Sequence, residues 1–188
     1  MAGALITLLA ISFQFALREI FLSFKIEEYA YYSFFAFGFI EEILKFLAAY
    51  LVVRKSRFFD EPIDAMIYMI TAALGFAMVE NIAVALNASN IQEAIGAMTL
   101  RFVGATLLHA LTSGIVGYYW AKGIIAKNTG RGSLSLVIVK GLIIASLLHM
   151  IFNYLILISK EQILIYPTIF LIIIALFIFW DFERLKAA

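Results

Sequence analysis

No cysteine occurs anywhere in the 188 residues. Disulfides, thiol nucleophiles and cysteine-ligated metals are therefore all excluded. Charge is also scarce: 14 Lys and Arg stand against 13 Asp and Glu, only 14% of the chain, where a soluble domain carries about a quarter. The net charge of +1 gives no basic surface on which a nucleic acid could dock, so no nucleic-acid partner is expected. There are two prolines, and the one Gly/Ser-rich stretch, Thr129 to Ser133, is too short for a domain linker. What remains is apolar: 64% of the residues, including 18 Phe, with a mean hydropathy of +1.01. So much apolar surface excludes a disordered chain and points to the lipid bilayer as its solvent.

About 20 residues at 1.5 Å rise cross a hydrocarbon core about 30 Å thick. Apolar runs between charged breaks predict six membrane helices, at Met1 to Leu17, Tyr29 to Val53, Ile63 to Leu86, Met98 to Ala121, Leu134 to Ile158 and Ile163 to Trp180. The expected fold is an all-α polytopic helix bundle, one integral membrane domain over residues 1–188. The first run has no basic leader and no small-residue cleavage site before Arg18, so it reads as a helix rather than a signal peptide. Arg54, Lys55, Arg57, Lys122, Lys127, Arg131, Arg184 and Lys186 fall on one side; Arg18, Lys25, Arg101 and Lys160 fall on the other. The richer side is cytoplasmic, giving both termini inside. Asn87-Ala88-Ser89 matches a glycosylation acceptor, a pattern short enough to arise by chance.

A charge at the centre of a membrane helix costs about 2.5 to 3.5 kcal/mol on insertion scales, so each one needs a reason. Glu41, Glu42 and Lys45 fall in the middle of the second span, Glu80 in the third, His109 in the fourth, and Lys140 with His149 in the fifth. Lys45 lies four residues after Glu41 and three after Glu42, within reach of either carboxylate. One lysine cannot satisfy both, which leaves the second Glu either protonated or partnered from another helix. Glu80 and Asn81 point about 100° apart, so one of them faces a site while the other braces a neighbouring helix; alternatively Glu80 snorkels to the outer interface. Ala110 with Gly114, and Ser113 with Gly117, invite close approach of another helix beside His109. His149 and Asn153 share one helix face, pairing a base or ligand with an amide donor that could stabilise an oxyanion or hold the imidazole tautomer. Measured from the outer ends of their spans, Glu41, Glu80, His109 and His149 lie about 18, 9, 16 and 14 Å deep, in one slab from mid-membrane into the outer half.

Two histidines, several intramembrane Glu and no covalent nucleophile in a triad order suggest hydrolysis by an activated water. His109 and His149 with Glu80 or Glu41 would make a two-histidine, one-carboxylate set for zinc, although no His-Glu-x-x-His spacing is present. Asp60, Glu61 and Asp64 with Pro62 read as the favourably charged start of a helix.

At these residues the chain resembles the PrsW family of intramembrane proteases, in the wider superfamily of CAAX prenyl endopeptidases and bacteriocin-processing membrane proteins. The matching pieces are Glu41-Glu42-x-x-Lys45, Phe59-Asp60-Glu61-Pro62-x-Asp64, Gly75-Phe76-x-x-x-Glu80-Asn81, His109 with Gly114, and His149-x-x-x-Asn153, in order over about residues 38 to 155. Ala65 departs from the pattern, where family members often carry Gly. The resemblance implies a protease in a prokaryotic plasma membrane, cutting a membrane-anchored protein such as an anti-sigma factor near the extracytoplasmic side. It implies catalytic roles for Glu41, Glu42, Glu80, His109, His149 and Asn153, with Lys45 and Asn81 as structural support. It leaves open a metallo type, with zinc as the candidate cofactor on His109, His149 and Glu80, or a glutamate type. The superfamily also resembles the anterior-pharynx-defective subunit of γ-secretase, so a non-catalytic scaffold is the alternative. A proton-coupled transporter would also use buried Glu and His, but the inverted repeats usual in transporters are not visible.

The orientation is checked by tags at both ends in intact cells: both are expected to label from the cytoplasmic face only.

Overall fold

The computed structural model describes residues 1–26, 30–159 and 165–186, and within them the chain is entirely helical outside its connections. Seven helices follow in order: α1 Ala2–Ser23, α2 Tyr31–Val53, α3 Asp64–Leu86, α4 Ile91–Val103, α5 Ala105–Asn128, α6 Leu134–Ile158 and α7 Ile165–Lys186. Among the described residues, α1, α3, α4 joined to α5, α6 and α7 are long and apolar enough to cross a membrane. α2 has the length, 23 residues, but carries Glu41, Glu42 and Lys45. The chain is an integral membrane helix bundle.

α5 is the central helix, buried almost continuously from Leu108 to Gly123. It packs on α3, α6 and α7, while α2 lies against α6 and α1 against α2 and α3. Lipid tails are as apolar as leucine, so helices here associate by close packing rather than by expulsion of water, and small residues mark the contacts. At Gly117 a Cβ would come 2.6 Å from the Cα of Met66, so only glycine lets α5 touch the α3 backbone. The predicted close approach beside His109 is thus made by Gly117, with Ala65 and Met66 of α3 fully buried against it. Large side chains outside these seams, such as Leu176, Phe177 and Trp180 on α7, are exposed on the outer face of the bundle, the surface a bilayer would cover. Lys140, expected within a span, is exposed near the start of α6, its Nζ 5.9 Å from the Tyr119 ring.

The boundaries differ from the sequence expectation at several ends, with α5 running past Ala121 to Asn128 and α7 past Trp180 to Lys186. α1 continues past Leu17 to Ser23, because Arg18 and Glu19 are exposed and cost nothing at a helix end. The fourth predicted span, Met98 to Ala121, straddles two helices that break at Gly104, whose Cβ would meet the Leu100 carbonyl at 3.1 Å and Phe152 at 3.4 Å. α4 starts earlier than predicted, at a capping box: Asn90 Oδ1 accepts the Glu93 amide and the Glu93 carboxylate accepts the Ser89 amide, both at 2.9 Å. At the start of α3 the Asp64 carboxylate accepts the amides of Asp60 (3.1 Å) and Glu61 (2.9 Å), a local role that fixes the turn into the helix. Tyr29, Lys160 and Ile163, used above to mark span edges and orientation, lie outside the described residues.

Replacing Gly117 by Val is expected to lower stability by about 1 to 3 kcal/mol, the usual cost of overpacking, while Gly96→Val, where a Cβ meets nothing within 4 Å, stays near neutral; thermal unfolding in detergent compares the two.

Candidate active site

The polar residues that the bilayer penalises meet at one place, between α2, α3, α5 and α6. α2 brings Glu41, Glu42 and Lys45; α3 brings Glu80; α5 brings His109, Thr112 and Ser113; α6 brings His149. Glu42 is fully buried and fully partnered. Its Oε1 accepts from Lys45 Nζ at 2.7 Å, Thr112 Oγ1 at 2.8 Å and His149 Nδ1 at 3.3 Å, and its Oε2 accepts from Ser113 Oγ at 3.2 Å. Lys45 thus satisfies Glu42, with α5 and α6 completing its bonds, and the Glu that the lysine leaves over is Glu41.

Glu41 is held differently. Gln14 of α1 donates to its Oε1 at 2.8 Å, while its Oε2 is buried with no hydrogen-bond partner. That oxygen sits 3.7 Å from His109 Nδ1, 3.7 Å from His149 Nε2 and 3.9 Å from Lys45 Nζ. The opposite nitrogen of each ring is occupied. His109 Nε2 lies 2.9 Å from Glu80 Oε2, and His149 Nδ1 lies on Glu42 Oε1. A carboxylate only accepts, so these contacts place the protons on Nε2 of His109 and Nδ1 of His149. His109 Nδ1 and His149 Nε2 are then the lone-pair nitrogens, and both face Glu41. Lys45 Nζ, 3.0 Å from His109 Nδ1, donates to it. The two rings meet edge to face with centroids 5.2 Å apart. Room for the His149 ring comes from Gly38, where a Cβ would lie 3.2 Å from His149 Cβ and Cγ.

Glu41, His109 and His149 offer one ligand atom each within 4.8 Å of one another. Ligands about 2.0 to 2.1 Å from a tetrahedral zinc lie roughly 3.3 Å apart, so these donors need only small shifts to close around a cation. An unpartnered buried carboxylate oxygen beside two lone-pair nitrogens, each ring fixed from behind by a carboxylate, is the donor set a divalent metal takes. Within this cluster the carboxylate beside both histidines is Glu41, whereas Glu80 stands behind His109.

Glu80 does not snorkel free. Arg101 Nη2 donates to its Oε2 at 2.7 Å and Arg101 Nε donates to Asn81 Oδ1 at 2.9 Å; Asn81 Nδ2 in turn donates to Thr106 Oγ1 at 2.9 Å. Asn81 therefore braces α3 against α4 and α5 while Glu80 faces the site. Asn153 lies beyond His149, half-buried, and the partner that holds the His149 tautomer is Glu42 rather than Asn153. Asn153 instead lines two cavities: one of about 310 Å³ with Gln14, Arg18, Phe37 and Glu41, and an apolar one of about 440 Å³ between α4, α5, α6 and α7.

The family described as PrsW family intramembrane metalloprotease matches residues 1–180. The chain belongs to the PrsW family. Curated proteins named "Protease PrsW" are similar to it: that of Oceanobacillus iheyensis is 30% identical over 152 residues, covering 81% of this chain and 65% of the relative. That of Geobacillus kaustophilus is 32% identical over 69% of this chain and 53% of the relative, and that of Bacillus subtilis 33% identical over 62% and 50%. The chain thus spans between half and two thirds of the length of these relatives. No solved structure matches it significantly. Bacterial relatives and apolar spans together make this PrsW-family chain an integral protein of a prokaryotic membrane.

Four residues of the site were not singled out in the sequence. Gln14 is a lone amide in an apolar run, Ser113 reads as a packing residue with Gly117, and Thr112 carries no signal of its own, although both follow His109 at helical spacing. Arg101 counted only toward topology. The polar character of Gln14 within a span was the one signal that could have exposed it.

Breaking the Glu42 ion pair with Lys45→Met is expected to destabilise the fold by about 3 to 5 kcal/mol, the usual cost of an orphaned buried charge, whereas Glu41→Gln, which keeps an acceptor for Gln14, changes stability by less than about 1 kcal/mol; denaturant unfolding in mixed micelles measures both.

Proposed function

We propose that this chain is an intramembrane endopeptidase that hydrolyses a peptide bond of a membrane-anchored protein near the outer half of the bilayer. The observation that carries the reading is the convergence of Glu41 Oε2, His109 Nδ1 and His149 Nε2, all lone-pair donors, beside a cavity that Glu41 itself lines. Membership of a family described as intramembrane metalloproteases supports it.

In this reading Glu41, His109 and His149 hold a divalent cation, with zinc the best match to one carboxylate and two imidazoles. When bound, such a cation supplies Lewis acidity at the reacting carbonyl and at water. The chain's own residues do the rest. Glu80 and Glu42 fix both imidazole orientations, and Lys45 and Gln14 hold the Glu pair. Asn153, on the wall between the two cavities, offers an amide N–H to the carbonyl oxygen as negative charge develops there. Water adds its oxygen to the carbonyl carbon, the C–N bond breaks, and a proton from water ends on the leaving amine. In a glutamate-type variant of the same reaction Glu41 Oε2 is the acceptor that carries this proton. The substrate strand enters through the cavity between α1, α2 and α6 that Gln14 and Arg18 border. A membrane-anchored anti-sigma factor, cut first on its extracytoplasmic side, is a substrate of the fitting kind.

The test is cleavage of a panel of single-span membrane proteins by the purified protein in liposomes, with product masses locating the cut. Wild type is expected to cleave, Glu41→Gln to lose activity at least 10³-fold, and chelation followed by zinc add-back to abolish and restore it. Full activity in both Glu41→Gln and Glu42→Gln sinks the protease reading. A stable fold that cleaves nothing, with partner co-purification instead dependent on these residues, moves the assignment to a scaffold.

A further inference from the structure

Resting on the reading above, we infer that Arg101 is a positioning residue for the histidine pair, acting through Glu80. Arg101 sits on α4, a 13-residue helix with no buried residue, which meets the core through its edge against α3 and α5. Its guanidinium uses two of its donors on neighbouring residues of α3, Nη2 on Glu80 Oε2 at 2.7 Å and Nε on Asn81 Oδ1 at 2.9 Å. The same Glu80 oxygen accepts from His109 Nε2 at 2.9 Å. One oxygen therefore stands between a permanent cation and an imidazole, and its position is set by both.

The Glu80 side chain is 28% exposed, unlike Glu42. A carboxylate with that exposure, near the outer end of α3, has an open route to the interface, and charge-assisted bonds from Arg101 keep it turned inward. With Glu80 held, His109 keeps its proton on Nε2 and turns Nδ1 toward Glu41 and His149. With Glu80 released, Nε2–H has no acceptor. Lys45 Nζ, 3.0 Å from Nδ1, still favours that form, but the unpartnered Glu41 Oε2, 3.7 Å from Nδ1, is an acceptor for an Nδ1–H, so both tautomers are populated and in one of them the nitrogen facing Glu41 has no lone pair. Fixing a ligand ring from its far nitrogen commonly changes metal affinity or activity 10- to 100-fold. A lysine at this place would supply the charge but could not bridge Glu80 and Asn81 with a planar fork.

The chain has only two histidines, which makes the consequence directly observable. In metal-free protein carrying ¹⁵N-histidine in lipid, long-range proton–nitrogen spectra distinguish the two tautomers of each ring. Wild type is expected to show His109 protonated at Nε2 and His149 at Nδ1. Arg101→Gln is expected to give mixed tautomers at His109 alone, leaving His149, whose partner is Glu42, as the internal control of the fold. In parallel, the zinc dissociation constant is expected to rise about 10- to 100-fold. Arg101→Lys, the variant that keeps the charge, is expected to fall between the two and secures the test if Arg101→Gln does not fold. Wild-type tautomers and zinc affinity within twofold in either folded variant would overturn the assignment. Failure of the wild type to cleave any substrate would count against the protease reading alone, since the tautomers and zinc affinity are read without it.

Discussion

Glu42 is a charge in a place without water, and the bundle is arranged around satisfying it. Lys45 from its own helix supplies the opposite charge, Thr112 and Ser113 from α5 supply hydroxyls, and His149 from α6 supplies an N–H. An unpaired ion there would be strongly destabilising, so the three helices have one relative placement in which the cost is offset. That placement also decides where His109 and His149 stand.

Frustration is then confined to the neighbouring residue. Glu41 follows the same helix one position earlier, pointing about 100° away from Glu42, and so escapes the saturated side of the cluster. Gln14 takes one of its oxygens, and the other is left facing two imidazole nitrogens without a bond of its own. Buried unpartnered polar atoms are rare in native structures, and this one is surrounded by the donor types that bind a cation or move a proton. The contrast between adjacent carboxylates, one consumed in structure and one held in reserve, is what gives the centre chemical capacity.

Around this centre the helices divide by packing. α3, α5 and α6 meet through small residues and bury the histidines, while α1 and α4 lie at the rim, with few or no buried residues, and reach the centre by single polar side chains, Gln14 and Arg101. The two cavities that Asn153 lines are bordered by these helices, one by α1 and the other by α4, so α2, α5 and α6 carry the donors while the rim helices border the routes toward them.

The helical bundle and the cluster members Glu41, Glu42, Lys45, Glu80, His109 and His149 were legible from the sequence, because a bilayer penalises every charge and makes each intramembrane exception visible. The fixed rise per residue put these side chains at similar positions along their helices, and the structure brings them together. The division of labour did not follow. Spacing puts Lys45 within reach of both Glu41 and Glu42, and only contacts from α5 and α6 select Glu42 as the ion-pair partner. Glu80 and Glu41 were equal candidates beside the histidines until the rotation of α3 placed Glu80 behind His109. The break at Gly104 and the inward turn of Arg101 were hidden because apolar runs report length and depth, not helix rotation or the direction of a long side chain at an interface. Local chemistry determined which residues are present at the centre, and the rotation of packed helices decided what each of them does.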